Sequence, residues 1–417
     1  MAQLSNDCFA FGGDLMRVDE ATALIAARVS PNAEIETVPL VAADGRVLAR
    51  DIVSPTDLPP FDNSAVDGYA VRFDDLSENR DTVLPVAGRI AAGAAAGADP
   101  GPGQAVRIFT GAPMPPGFDT VFMQEDVRVD GKSVILPSGL KRGANRRLAG
   151  EDLPRGAVAL AAGRRLTPQD VGLLAALGLA EVPVRRPLKV AVFSTGDEIA
   201  APGGPLGPAQ LYDANRFMIQ ALLRRLGCIP TDLGILRDDR AAVATALAAA
   251  AAAHDLIITS GGVSTGEEDH VKAAVESAGS LTFWRIGIKP GRPVAMGVVG
   301  GTPFIGLPGN PVAVFVTFAY VARALIARLS GEAYEPPQSF PVRAAFAYRK
   351  KEGRREYVRV RLGGGADGAL EAHKHPREGA GVITSLTETD GLVELPEAVT
   401  RVAPGETVRF IPYEFLR

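Results

Sequence analysis

Apolar side chains recur at helical spacing over residues 14–30 and stop at Ser30-Pro31, which predicts a first helix. Thr37–Leu48 alternates loosely around the Asp44-Gly45 turn, the pattern of paired strands. From Ser54 to Arg147 no helical period is sustained. Short apolar runs at Val83–Val86, Ala105–Phe109, Thr120–Met123 and Ser133–Leu136 are divided by turn pairs such as Asp130-Gly131. This predicts a small β-rich module inserted after the first helix. Mixed structure returns over 150–186, with a helix near Pro168–Leu177 ended by Gly178.

The character changes at Pro187. Leu188–Ser194 is a nearly unbroken apolar run rich in β-branched residues, as expected of a parallel strand buried on both faces. Helices are predicted at Asp213–Leu226, Asp239–Ala253 and Glu267–Ala278, alternating with strands at Ile229–Leu236, Leu256–Ser260 and Leu281–Ile286. Strand-like pieces at Pro293–Val298 and Thr302–Ile305 precede an apolar helix, Pro311–Leu329. Strand–helix alternation on this scale predicts a doubly wound α/β domain. Beyond the linker near Glu335–Gln338 only strands are predicted, at Phe340–Phe346, Glu356–Leu362, Gly391–Leu395 and Glu406–Tyr413. They suit a small β-barrel or sandwich.

The expected architecture is therefore α/β plus β and multidomain. Segments 14–53 and 148–186 form a discontinuous linking domain, 54–147 the inserted β-rich domain, 187–333 the α/β domain and 338–417 a C-terminal β-barrel. A chain of 417 residues is long enough for several such cores. Composition narrows the function only a little. Lys and Arg total 44 against 48 Asp and Glu, a net charge of −4, which gives no reason to expect nucleic acid or an anionic membrane as partner. The two cysteines, Cys8 and Cys228, make no disulfide framework or zinc site and suit a reducing compartment. The N-terminus shows no signal-peptide pattern, so a cytoplasmic protein is expected. The apolar run Val312–Ala322 is shorter than the roughly 20 residues that span a bilayer, which predicts a buried helix.

In open α/β sheets, ligands bind beyond the carboxyl ends of the strands. Three segments leave those ends here. Ser194-Thr195-Gly196-Asp197-Glu198 exposes hydroxyls and N–H groups followed at once by acids, although a capped helix start would use the same residues. Ser260-Gly261-Gly262-Val263-Ser264-Thr265-Gly266 could cradle a phosphate, and the acids up to Asp269 behind it suggest a bridging Mg²⁺. It is neither a Walker A loop nor a dinucleotide fingerprint. Pro308 and Pro311 frame a stiff Gly-Asn turn before the long apolar helix. Lys289 and Arg292, with Arg285 upstream, bring cations near these loops, which favours an anionic ligand over a merely solvated basic turn. No His pair has metal-ligand spacing, and His373-Lys374-His375 reads as an exposed strand end. Phe61–Ala70, Arg107–Pro113 and Asn145–Asp152 are dense in small polar residues that turn chemistry alone could explain.

Taken together, FDNSAVDGYAV, RIFTGAPMP, the GED after NRR, FSTGDE, YDANR, LGILRDD, ITSGGVSTGEEDH, IKPGRP and GLPGNP resemble, in order, the molybdopterin molybdenumtransferase family, which includes bacterial MoeA and the gephyrin E domain. The likeness covers residues 14–415. It implies a molybdopterin-binding α/β domain within an elongated four-domain homodimer, where the β-rich part of one subunit completes the other's cleft. The substrates it implies are molybdate and adenylylated molybdopterin, with Mg²⁺-dependent release of AMP. Carried onto this sequence, the acids are Asp67, Asp152, Glu198, Asp238 and Asp269, and Thr110, Arg147, Lys289, Pro308 and Pro311 also match. We expect Glu198, Asp238 and Asp269 to act around the cation and Asp67 to line the cleft. Ser194, Thr195, Gly196, Ser260, Gly261, Gly262, Ser264, Arg147, Asp152, Arg285, Lys289 and Arg292 would hold the anions. Arg285 and Arg292 stand where the family often carries lysine, replacing a point charge by a fork. Ser385 lies in a stretch, 379–387, that matches less closely. The molybdopterin adenylyltransferase and downstream maturation factors are the protein partners this implies. An adenylyltransferase or pyrophosphatase of related fold, and a scaffold, are the competing functions.

Overall fold

The computed structural model describes residues 15–97, 99–236, 239–261, 270–291 and 293–416. Two compact units emerge, one from Met1–Ala49, Gly163–Thr167 and Val182–Arg417, the other from Arg50–Ala162 and Pro168–Glu181.

The first unit is built on a six-stranded sheet: β1 (Lys189–Thr195), β2 (Ile229–Leu236), β3 (Leu256–Ser260), β4 (Gly279–Arg285), β5 (Pro293–Val299) and β6 (Thr302–Leu307), in the order β2-β1-β3-β6-β5-β4. β2, β1, β3 and β6 are mutually parallel, whereas β5 and β4 run antiparallel at one edge. The reversal has a local cause. Only Gly300 and Gly301 join β5 to β6, both at positive φ (54° and 92°), the backbone a two-residue hairpin demands.

Strand alternation explains why both faces are covered. Val190 and Val192 of β1 enter one core with Leu256 and Ile258, while Ala191 and Phe193 enter a second core with Ile257. Helix α1 (Asn215–Arg225), the N-terminal helix Val18–Arg28 and the long helix Pro311–Ser330 fill the first face. Helices α2 (Arg240–Ala253) and α3 (His270–Ala278) supply Val243, Leu247, Val271 and Val275 to the second. The sheet is thus doubly wound. Pro311–Ser330 is long and apolar enough to cross a membrane, with mean hydropathy 1.8, yet 89% of that stretch is buried inside the protein. It passes through a π-helical segment at Phe318–Ala322.

The C-terminal strands β7 (Phe340–Ala344), β8 (Arg355–Gly364), β9 (Leu370–Lys374), β10 (Gly391–Leu395) and β11 (Thr407–Pro412) close into a barrel, because β8 pairs with both β9 and β10. One further pairing was not legible in the sequence. Ile288 and Lys289 add to β8 in parallel, opposite Arg355 and Glu356. Near the N-terminus, Ile35–Pro39 and Val47–Leu48 do not pair with each other as expected; Glu181–Arg185 lies between them. Alternation reveals strands but not a partner that arrives more than a hundred residues later.

The second unit carries a six-stranded sheet ordered Thr120–Met123, Gly68–Val71, Ala105–Ile108, Thr82–Ile90, Ser133–Leu136, Arg128–Asp130, with apolar cores on both faces. This is the β-rich module.

Candidate active site

Parallel register brings the three segments beyond the strand ends together. Ser194 lies opposite Ser260, and Ser260 opposite Leu307. The edge of the sheet is polar but dry: Ser194 and Thr195 are buried, and neither hydroxyl makes a hydrogen bond among the described residues. Buried hydroxyls without partners are uncommon and mark a place where a ligand could supply them. Gly261 (φ 84°) follows directly; a Cβ there would stand 2.9 Å from the Thr195 carbonyl oxygen, so only glycine lets the two loops approach. Glu198 is exposed and lies over Gly196, with no ion pair among the described residues. The Pro308–Pro311 turn is tied down by Ser260, whose hydroxyl donates to the Pro308 carbonyl at 3.2 Å.

A cleft of about 650 Å³ opens here, lined by Glu198, Gly261, Lys289, Pro308, Gly309 and Asn310 from the α/β half. The barrel lines the other wall with Tyr348, Arg354, Arg359, Lys374, His375 and Glu378. Sequence reasoning missed that wall. The signal was Glu356 and Arg359 inside strand β8, where five consecutive residues, Glu356–Val360, are buried and apolar side chains would be expected.

The cleft's electrostatics are cationic. Arg359 is 5% exposed, donates to the Arg377 carbonyl at 2.9 Å, leaves its Nε unpartnered and has no ion pair among the described residues. Desolvation pulls its pKa down, though a guanidinium stays charged. Lys289 donates to Glu356 at 3.0 Å and to the Tyr348 hydroxyl at 3.3 Å. Partial burial pulls its pKa down, but those two partners outweigh it, so the net shift is upward. The Tyr348 ring carries Lys289 on it at 5.7 Å and Lys374 at 5.8 Å. Lys374 in turn pairs with Glu378 and holds that carboxyl below its usual range. His375 is not an exposed strand end: it is 6% exposed, with Nε2 at 2.9 Å from Glu388 and Nδ1 accepting from the Arg377 N–H. His373, by contrast, is exposed. Ser385 is buried and donates to the Val382 carbonyl.

Asp238, Gly262, Ser264, Asp269 and Arg292 lie outside the described residues, as does the side chain of Arg285, whose backbone pairs with Pro293. Among the described residues no group of three or more His, Cys, Asp or Glu is arranged to hold a metal. Glu198 alone of the expected ligands is described, and an exposed carboxylate with no ion pair among the described residues suits a divalent cation.

In the second unit, Asp67 accepts from the Thr110 N–H at 2.8 Å and from its hydroxyl at 2.7 Å. These two bonds, the backbone one foremost, hold the partly buried Asp67 carboxyl below its usual range. The small-residue density now has an account. Ser64 bonds through its backbone to Gly111 and Ala112, while Asn63 and Ser64 pair with Arg147 and Arg146, so buried Ser64 stitches the three motif segments together. Arg147 and Asp152 are both exposed.

A doubly wound domain whose strand-end loops meet a cationic cleft, joined to a five-stranded barrel and a β-rich module, defines a multidomain α/β-plus-β protein rather than a single nucleotide-binding fold. Comparison with known proteins identifies the class. Residues 16–178 match the MoeA N-terminal region (domain I and II), 191–328 a probable molybdopterin binding domain, and 341–413 the MoeA C-terminal region (domain IV). A molybdopterin molybdenumtransferase of Haemophilus influenzae is 40% identical over 96% of this chain and all of that one. The Bacillus subtilis molybdopterin molybdenumtransferase is 32% identical over 94% of this chain and 93% of that one. The crystal structure of a molybdopterin biosynthesis MoeA protein from Pyrococcus horikoshii superposes with a TM-score of 0.82 at 30% identity, covering 96% of this chain and all of that one. The chain belongs to the molybdopterin molybdenumtransferase family.

Proposed function

We propose that this chain transfers molybdenum from molybdate to the dithiolene of adenylylated molybdopterin, releasing AMP. One observation carries the reading: the cleft gathers Lys289 and the Glu198, Gly261 and Pro308 loops on one wall and the buried, carboxylate-free Arg359 on the other. Both substrates are anions, and in a cleft partly shielded from water each cation is worth more than on the surface. Arg359 suits an oxyanion through its unpartnered Nε, and Lys289 offers a point charge for a phosphate. The unpartnered Ser194 and Thr195 hydroxyls would hydrogen-bond the bound ligand. Glu198, with Asp238 and Asp269, would hold a divalent cation such as Mg²⁺, which neutralises phosphate charge when bound. Asp67 and Thr110 would present an ionised carboxylate and a fixed hydroxyl to the substrate. The same reading makes the protein a cytoplasmic homodimer that receives its pterin from an adenylyltransferase and passes its product to maturation factors.

The test is direct. Purified protein with preformed adenylylated molybdopterin, molybdate and Mg²⁺ should release AMP and yield active cofactor, scored by reconstitution of nitrate reductase. Consumption of ATP without AMP release from the preformed adenylate would instead identify an adenylyltransferase.

A further inference from the structure

We propose that Glu356 of the barrel is a positioning residue for the Lys289 ammonium in the cleft, with Tyr348 as the bridge between them. The backbone makes the first connection, since Lys289 and Glu356 are register partners in a parallel pairing that adds the Ile288–Lys289 strand to β8. The side chains make the second. Glu356 is 1% exposed and accepts from Lys289 at 3.0 Å, from Tyr348 at 2.9 Å and from Arg354 at 2.8 Å. A carboxylate so deeply buried is costly unless paired, and here two cations and a phenol share it. The cluster of Glu356, Lys289 and Arg354 therefore keeps one net positive charge at the cleft wall.

Tyr348 acts on both sides. Its hydroxyl donates to Glu356 and accepts from Lys289, while its ring lies under the same ammonium. Two of the three ammonium donors are thereby directed, and the third is left for a ligand. The inference deepens the reading of the cleft as an anion site and rests on it. It assigns the barrel a part in that site: fixing where Lys289 stands and keeping it charged.

Other charged groups bear on Lys289. Arg354 lies beside Glu356, Lys374 and Glu378 meet it across the Tyr348 ring, and Glu378 is held down partly by Lys289. Arg359 and His375 line the barrel wall, and Glu198 faces from the α/β loops. None of these changes between the variants compared below.

The experiment uses the full chain and reads Lys289 itself. Competitive acetylation by acetic anhydride across pH, with mass spectrometry of the Lys289 peptide, gives the midpoint of its titration without requiring any activity. Glu356→Gln should move that midpoint acidward by about one unit, while Glu356→Asp restores most of it. Tyr348→Phe should shift it by less. In parallel, Glu356→Gln should raise the KM for adenylylated molybdopterin about tenfold with a smaller change in kcat, and Glu356→Asp should recover it. A Glu356→Gln protein that melts like wild type and gives the same labelling midpoint and KM overturns the proposal. If Glu356→Gln does not fold, Tyr348→Phe decides, and an unchanged midpoint and KM overturns it. A labelling midpoint shifted by Glu356→Gln, alongside a wild-type protein that neither binds molybdate nor releases AMP, would support the positioning role and sink the functional reading.

Discussion

Asn215 at the start of α1 donates its amide to the Ser260 hydroxyl at 2.9 Å and to the Gly309 carbonyl at 2.6 Å. One side chain therefore joins a helix start, a strand end and the Pro308–Pro311 turn. The three elements are distant in sequence, and each contributes to the cleft edge. Removing the amide should loosen the turn rather than the fold. We expect Asn215→Ala to cost about 1–2 kcal/mol in chemical unfolding, the range of one or two lost hydrogen bonds. AMP release should fall by tenfold or more, because small displacements of positioning groups are amplified in rate. Equal, modest losses in both measurements would show that Asn215 is only structural.

Thr110 should control the titration of Asp67. The folded carboxyl lies below its usual range, so its ionised form is retained as pH falls until that lower value is crossed. Thr110→Val removes the hydroxyl donor and keeps the N–H, which is the larger contribution. Carbon-detected NMR of the Asp67 carboxyl should show its midpoint rising toward the ordinary aspartate value, without reaching it. Because the carboxylate keeps its bond from the Thr110 N–H, thermal stability should barely change. AMP release by Asp67→Asn at wild-type rates would remove this residue from the reaction.

Much of this was legible in the sequence because strands and helices announce themselves by period. β1 and β3 show as apolar runs that place the Ser194 and Ser260 loops at one end of the sheet, and the structure's register then sets the two serines opposite each other. The barrel wall was not legible, for a physical reason. Lys289 meets Glu356 through a two-residue strand pairing, and Arg359 is buried by closure of the barrel, so neither relation leaves a local pattern. His373 and His375 make the same point: they are two residues apart, yet one is exposed and the other packed against Glu388. Composition could not tell them apart.

Cys228 should be chemically silent and should make stability fall at high pH. It is 7% exposed, and burial pushes its thiol up from 9.0 to about 12. Iodoacetamide at pH 8 should leave the Cys228 peptide unmodified in folded protein and label it fully in denaturant. Its raised value in the folded state means that its contribution is complete below the ordinary thiol value. That contribution is lost as pH rises from there toward the folded value, by about 1.4 kcal/mol per unit. Cys228→Ala should flatten this limb of the stability profile, and an unchanged slope would assign it to other groups.

The N-terminal helix is fastened to the barrel through Arg355, and two substitutions should separate what each partner contributes. Arg355 meets Asp19 in a bidentate pair at 2.9 and 2.7 Å, and Glu397 and Glu394 lie 3.2 and 3.8 Å away. Asp19 is 62% exposed, so its half of the pair is screened by solvent, and Asp19→Asn should cost no more than about 1 kcal/mol. Arg355 is only 13% exposed, and the two glutamates behind it are 8% and 16% exposed. Arg355→Met removes the cation they share and leaves them their more exposed cationic partners, Arg409 at 3.6 Å from Glu394 and Arg17 at 3.9 Å from Glu397. That should cost more than the Asp19 substitution, up to about 3 kcal/mol. Adding Glu394→Gln to Arg355→Met should recover part of that cost at neutral pH. Denaturation curves for the four proteins at pH 7.5 contain the answer, and equal losses for Asp19→Asn and Arg355→Met would show that the exposed half of the pair matters as much as the buried half.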